Sequence, residues 1–302
     1  MGSATRAGRK FAAAIAAAAV VVPAAAEAAN AAAIFYERTL MSVAGARCGL
    51  FSPEVASALA AGAAQARGAA LRSGAPASEV KAAGERARAK AASTPCDSQD
   101  LQLAASRVRA AFEGWAKVTR MTYPGQTAPW LADRTAYRSV RWRLSQSGKA
   151  GQAPAAFGVA GDLDHTALLA VAAFSGAEQP YAARLVMRDD SRAGLPWLTG
   201  TGGRPLPPRA STLVVLAEHK ASADKGLLPA GARSGVAFRF PARAADRLAE
   251  LDPRERFAVE FLFRGDRVKT VVFEVGDFAA GKAFLAFVPV YARQASARRS
   301  AG

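Results

Sequence analysis

The spacing of apolar residues changes once along this chain, near residue 120, and this change limits the available folds most. Residues 30–120 show no strand-like alternation, and helix start and stop signals such as Ser52-Pro53 and Gly74 recur there. Beyond residue 120, apolar and polar residues alternate over short stretches separated by turn-rich segments. We therefore predict an α+β protein in which an N-terminal, disulfide-tied helical bundle precedes a β-rich, sandwich-like domain with a short C-terminal helix.

Four helices are predicted in the first half. Asn30 is expected to cap the first helix and Gly49 to end it, because glycine accepts the left-handed conformation at a helix C-terminus. The second helix starts at Ser52-Pro53 and ends near residue 71, and the third covers residues 78–92. The fourth is capped by Asp97 or Ser98, and its apolar stripe at helical spacing consists of Leu101, Ala105, Val108, Phe112 and Trp115.

The first 28 residues have the pattern of a cleaved export signal. Three basic residues precede an uncharged run at 11–22, and small residues follow, so cleavage is expected after Ala26 or Ala28. The alternative is a retained membrane anchor, which needs about 20 strongly apolar residues. The run here is mostly alanine and is interrupted by Pro23. We therefore predict a periplasmic or secreted protein with no transmembrane segment after cleavage.

The chain has two cysteines, Cys48 and Cys96, and both follow the predicted leader. An isolated pair in an oxidising compartment is expected to form a disulfide. A catalytic or metal-binding role needs a Cys-x-x-Cys spacing or a neighbouring histidine, and neither is present. In an up-down bundle, the end of the first helix and the start of the fourth lie at the same end, so a structural disulfide is predicted.

The formal net charge of +16 favours anionic partners. Because export separates the protein from nucleic acid, we expect anionic envelope polymers or surface partners and no nucleic acid. The alternative is purely compositional, since alanine, arginine and glycine are abundant and the charge is dispersed. Arginine is concentrated only near the C-terminus, and residues 291–302 are predicted to be a disordered basic tail.

After the predicted leader, the sequence up to residue 290 is divided into three predicted regions. The helical domain is expected at 29–120, a linker packed onto its surroundings at 121–135, and the β-rich domain at 136–290. Short strands separated by turns are predicted at 137–144, 168–174, 181–187, 213–218 and 236–240.

A hairpin at 257–275 is the best-defined unit of this half. Apolar and polar residues alternate from Phe257 to a Gly265-Asp266 turn. This turn is predicted to pair Phe263 with Val268, Phe261 with Thr270 and Val259 with Val272. Asp277 is expected to cap the short helix that follows.

Residues 242–285 carry a resemblance to a known family. They run as a short helix, two strands, Gly276-Asp277-Phe278 and a last helix, and this order is similar to the C-terminal part of the invasion-associated locus B family of exported bacterial proteins. The resemblance implies an all-β, sandwich-like domain and interaction at the envelope or host surface, and it implies no established chemistry. Members usually have cysteines in the β domain, whereas this chain has none there.

The densest group of ligand-type residues is Asp162, Asp164 and His165, with His219 as the other histidine of the chain. Oxygen ligands two residues apart suit a hard cation, so one hypothesis is a metal-dependent or acid/base hydrolase that uses these four residues. The alternative is ordinary turn chemistry at Gly161-Asp162. Nucleophile-elbow, phosphate-loop, dinucleotide and zinc motifs are absent from the sequence.

A long glycine- and proline-rich segment at 194–209 is a candidate binding loop. Long loops in compact domains are often functional, and Trp197 between Arg192 and Arg204 could stack on a sugar or polymer ring. The alternative is a plain connector.

From these patterns we predict an exported, non-enzymatic binding or structural protein without a cofactor, whose candidate contact residues are Trp197, Arg192 and Arg204. The hydrolase remains the alternative.

Overall fold

The computed structural model describes residues 24–162, 164–176, 179–198 and 205–287. The predicted basic tail at 291–302 and residues 1–23 of the predicted leader lie outside the described residues. Among the helices that the structure does describe, none is long and apolar enough to span a bilayer.

Four helices form the N-terminal half. The first helix, α1, packs against the second and the third, and the contact surfaces are rich in alanine, which lets the helix axes approach closely. The helices are α1 Ala24–Cys48, α2 Pro53–Arg72, α3 Ala77–Ser93 and α4 Gln99–Ala111.

Two helix boundaries differ from the prediction. Asn30 lies inside α1 and does not cap it, because the alanines before it are strong helix formers and extend the helix back to Ala24. The second difference is at the end of the fourth helix, where α4 stops at Ala111 and Gly114 adopts a positive φ of 80°. Trp115 is therefore not part of the stripe of α4 but packs edge-on against Phe284 of the β-rich half.

The predicted disulfide between Cys48 and Cys96 is confirmed. It joins the C-terminus of α1 to the segment before α4, with 5.5 Å between the two Cα atoms. Gly49 ends α1 with a φ of 63°, and Ser98 caps α4 by accepting a hydrogen bond from the Leu101 amide, as expected. The helical half is thus closed at one end by a covalent link.

Within the described part of the second half, eleven strands form two antiparallel sheets. The seven-stranded sheet has the order β1-β2-β3-β4-β5-β9-β8, and the four-stranded sheet has the order β11-β10-β6-β7. The strands are β1 Arg120–Tyr123, β2 Trp130–Asp133, β3 Arg141–Ala150, β4 Ala153–Gly161, β5 Thr166–Ala172, β6 Ala182–Arg188, β7 Thr212–Leu216, β8 His219–Ser222, β9 Val236–Phe240, β10 Arg256–Leu262 and β11 Val268–Glu274.

The inner faces of the two sheets enclose one core, as expected for a sandwich. Phe157 is central, since it contacts Phe240 on its own sheet and Phe257 and Phe273 on the other. Two further helices, α5 Ala242–Glu250 and α6 Phe278–Leu285, pack at one end of the sandwich. The predicted α+β class, with a helical bundle before a sandwich-like domain, is confirmed.

Residues 121–135 are not a linker. They include most of β1 and all of β2, which pair with each other and extend the seven-stranded sheet through β3. Tyr123 and Trp130 are fully buried, and the indole nitrogen of Trp130 donates to the Val275 carbonyl at 2.9 Å. The burial of two large aromatic side chains keeps this segment in the sandwich.

The hairpin of β10 and β11 has a register one residue away from the prediction. Val271 faces Val259 and Lys269 faces Phe261, because the turn contains three residues between the paired Phe263 and Arg267. A shift of one residue exchanges the two faces of a strand. As a result, Val271 is buried and Val272 is partly exposed, the reverse of what the predicted pairing implies.

The two halves meet mainly through α2 and α6. The Arg72 guanidinium donates to both carboxylate oxygens of Asp277, at 2.8 and 3.0 Å. Asp277 therefore does not cap α6 with its side chain as predicted, since its carboxylate is engaged by α2. Arg67 and Arg254 add hydrogen bonds to the carbonyls of Leu251 and Leu71 at 3.1 and 3.0 Å.

Candidate functional site

The predicted Asp/His cluster forms a turn between β4 and β5. The carboxylate of Asp162 accepts hydrogen bonds from the amides of Asp164 and His165, both at 2.9 Å. These amides lower the pKa of Asp162, because they stabilise its charged form. Asp164 and His165 are exposed. The geometry is that of an Asx turn, in which the carboxylate is used by the backbone of the turn itself.

His219 is not brought to this turn. It lies on the edge strand β8, where it is exposed and pairs with Arg239 of β9, which in turn pairs with Leu169 of β5. Two strand spacings and four residues of strand rise place the Cα atoms of His165 and His219 about 16 Å apart. Ligands of one metal ion lie within about 2 to 2.6 Å of it. Across the described ranges, no group of three or more His, Cys, Asp or Glu residues could hold a metal ion.

The predicted binding loop connects β6 and β7. The main-chain amide of Trp197 donates to the Glu255 carboxylate at 2.9 Å, and this carboxylate also pairs with buried Arg188, at 2.6 Å. The Trp197 segment is thus anchored against the sandwich. Arg192 is exposed, with an ion pair to Asp189 at 3.2 Å, and Arg204 lies outside the described residues.

A cleft opens beside this loop, on the outer face of the four-stranded sheet. It has a volume of about 560 Å³, within the range of known ligand sites. We call it the arginine cleft, after the three arginines that line it, Arg184, Arg192 and Arg209. Its other lining residues include Val186, Val214, Leu206, Pro207, Asp189 and Glu260.

The three arginines differ in how they are paired. Arg184 on β6 meets Glu260 on β10 at 2.5 Å, as a cross-strand pair. Arg192 pairs with Asp189 but stays 63% exposed, so this ion pair is weak. The Arg209 side chain is exposed, and no described residue forms an ion pair or hydrogen bond with it. Three cations thus meet two carboxylates in the cleft, which leaves one positive charge in excess.

Asp189 stays ionised in this setting. The hydroxyl and the amide of Ser191 donate to its carboxylate at 2.6 and 3.1 Å. These bonds, together with the nearby charges of Arg192 and Arg247, lower the pKa of Asp189 below its ordinary value. None of the residues that line the cleft is a histidine, so no lining imidazole changes the charge of the cleft near neutral pH.

Apolar side chains flank the cleft on the same sheet face. Val272, Val186 and Val214 occupy one row across β11, β10, β6 and β7, together with Ala258. Leu216 and Val268, which are 61% and 44% exposed, lie on the same face. A ligand that combines anionic groups with apolar or ring surfaces fits this surface better than a fully hydrated ion does.

Sequence reasoning found one residue of the arginine cleft and missed two. Arg192 was among the candidates, whereas Arg184 and Arg209 were not. The strand alternation at 181–187 did contain a signal for Arg184, because it places this residue on the face opposite Leu185.

Comparison of this chain with protein families, curated proteins and solved structures finds no match.

Proposed function

We propose that this protein is exported and acts without catalysis, by binding an anionic polymer of the cell envelope in the arginine cleft. The observation that carries the proposal is the excess positive charge of an open cleft on an apolar sheet face. Exposed arginines at such a site bind anionic groups through charge and through paired hydrogen bonds. Kinship with the invasion-associated locus B family is part of this proposal, and the order α5, β10, β11, α6 over residues 242–285 supports it.

Export is supported by the disulfide, because such bonds persist mainly in oxidising compartments. Mass spectrometry of the protein isolated from its native cells tests this part. We expect a mature N-terminus at residue 27 or 29 and no thiol that can be alkylated before reduction. An intact leader together with two free thiols contradicts export.

Binding is tested with dextran sulfate as the polyanion and unmodified dextran as the neutral control. We expect retention of dextran sulfate alone, with an affinity that falls as salt rises. The double variant Arg192→Gln, Arg209→Gln should bind about 30-fold more weakly, because each lost charge contact is worth on the order of 1 kcal/mol.

The matched control is Arg86→Gln, Arg138→Gln, which removes the same charge from two exposed positions elsewhere. It should retain nearly full binding. Equal losses in the two double variants would show that only overall charge matters, and this result overturns the assignment of the cleft.

A further inference from the structure

A second and larger cleft lies at one end of the sandwich, away from the arginine cleft. It has a volume of about 880 Å³ and lies where β3 and β5 begin and where β4 and β9 end. Its apolar floor is made of Val159, Leu168 and Phe240 from the seven-stranded sheet. The helices α5 and α6 form the opposite wall.

The space between the helices and the sheet stays open because most of the helix side chains that line it are small. The residues of α5, of α6 and of the position just after α6 that line it are mostly alanines, namely Ala242, Ala245, Ala249, Ala279, Ala283 and Ala286. Leucine or phenylalanine at these positions would fill the gap between helix and sheet, as they do in an ordinary core. We call this space the alanine cleft.

Arg143 of β3 lines the alanine cleft and is only 4% exposed. One of its nitrogens, Nη1, donates to the Thr135 carbonyl. Throughout the described ranges, no other acceptor bonds its guanidinium and no carboxylate lies within 4 Å of it, so the favourable charge of Asp133 acts on it only from a longer distance. Desolvation outweighs that attraction and lowers the pKa of Arg143, and a buried cation without a close ion pair is costly.

The other charged side chains that line the cleft are either ion-paired or exposed to solvent. Lys282 of α6 forms an ion pair with Asp246 of α5, and this pair links the two helices. Glu218 and Arg239 lie on the strand side. Arg143 is therefore the one lining cation, among the described residues, that combines deep burial with free hydrogen-bond donors.

We propose that the alanine cleft binds an amphiphile with one aliphatic chain and an anionic headgroup, with the headgroup paired to Arg143 and the chain along the alanine walls. A carboxylate or a phosphate matches the fork of guanidinium donors. Two sources share this chemistry, a fatty acid and a single-chain phospholipid. The inference is independent of the arginine cleft, which lies on the other sheet.

Isothermal titration calorimetry with dodecanoate, dodecyl phosphate and uncharged dodecanol tests the proposal, each below the concentration at which it aggregates. We expect at least one of the two anionic ligands to bind with 1:1 stoichiometry, and dodecanol to bind at least about tenfold more weakly. Tighter binding of dodecanoate assigns the site to fatty acids, and tighter binding of dodecyl phosphate assigns it to phospholipids. Equal binding of dodecanol overturns the role of the headgroup.

Two variants locate the site. Arg143→Met should lower the affinity for the preferred anionic ligand about tenfold or more and should leave the melting temperature of the free protein close to that of the wild type, because the loss of the hydrogen bond to the Thr135 carbonyl is offset by the removal of a buried charge that has no close ion pair. Ala249→Leu should fill the cleft and abolish binding, whereas Ala89→Leu, at an exposed position of α3, should bind normally. Wild-type affinity in both Arg143→Met and Ala249→Leu overturns the proposal.

Discussion

Tyr123 of β1 contributes its aromatic ring to the core of the sandwich but leaves its hydroxyl without a hydrogen bond among the described residues. Its ring is fully buried and packs edge-on against Phe284 of α6. Its hydroxyl has no hydrogen-bond partner among the described residues. Burial raises the pKa of this hydroxyl, the charge of Arg134 partly opposes this shift, and the Asp277 carboxylate adds to it. The aromatic ring is thus retained for packing, at the cost of one buried polar atom.

We expect Tyr123→Phe to keep or increase stability, by up to about 1 kcal/mol, because it removes an unpaired buried hydroxyl and keeps the ring. Urea denaturation measures the difference. Tyr123→Ala should instead cost about 3–5 kcal/mol, since it also removes the ring. A loss of more than about 1 kcal/mol in Tyr123→Phe contradicts the geometry described for the hydroxyl.

At the scale of the element, the hairpin of β10 and β11 allows a direct test of register. Val271 is fully buried on the inner face, and its neighbour Val272 is 37% exposed on the outer face. Val271→Ala should therefore destabilise the protein by about 2 kcal/mol, and Val272→Ala by less than about 0.5 kcal/mol. The reverse order in denaturant unfolding would support the register expected from the sequence.

The disulfide is the second test at this scale. It closes a loop with a sequence separation of 48, for which the loop-entropy relation gives about 4 kcal/mol. The double variant Cys48→Ser, Cys96→Ser should lose about this much stability in the helical half. Hydrogen exchange should rise in α1 to α4 before it rises in the sandwich. Unchanged exchange in the helices would mean that packing alone closes the bundle.

Helices and strands are predicted correctly from the sequence where the spacing of apolar residues fits only one type of secondary structure. The helices α2 and α3 and the alternating strands β6 and β9 lie where expected, because local signals and burial agree there. The strand β4 was missed, since its alanines and glycines have low strand propensity. Small residues occur there because both faces are covered, with the core on one side and Leu227 against Ala160 on the other. Long-range packing of this kind leaves no local signal.

The candidate sites were harder to predict for the same reason. The arginine cleft combines Arg184 of β6 with Arg209 from the end of the next loop, and the alanine cleft combines β3 with α5 and α6. Each requires the order of strands in a sheet, which sequence periodicity does not contain. The Asp162 turn, in contrast, is local, and the turn alternative for it followed from neighbouring residues alone.

At the scale of the whole molecule, the contact between α2 and α6 holds the two halves together. Gly68 of α2 lies against Asp277, and a Cβ atom at this position would come within 2.1 Å of the Asp277 carboxylate. Gly68→Ala should therefore separate the helix from its ion pair and cost about 1–2 kcal/mol, despite the higher helix propensity of alanine. Gly194→Ala, with no heavy atom within 4 Å of the added carbon, is the matched control. Equal melting temperatures in both variants would contradict a close contact at Gly68.

The charge of the arginine cleft leads to a pH dependence of binding. Because the pKa of Asp189 is lowered, its contribution to stability is present above its unfolded pKa and is lost as pH falls through the lower folded value. Dextran sulfate stays ionised over this range. Its affinity should be unaffected by Asp189 down to the ordinary aspartate range near about pH 4 and should rise below it, as the Asp189 carboxylate is protonated. A midpoint near neutral pH would instead point to a histidine.

The contact between α2 and α6 joins segments separated by more than 200 residues, as the ion pair of Arg72 and Asp277 shows. During synthesis, α2 leaves the ribosome long before α6 exists. Its Arg72 side chain and the surface around Gly68 therefore lack their contact partner until α6 has been synthesised. Formation of this interface is consequently a late event in folding, because the two segments that meet there are far apart in the sequence.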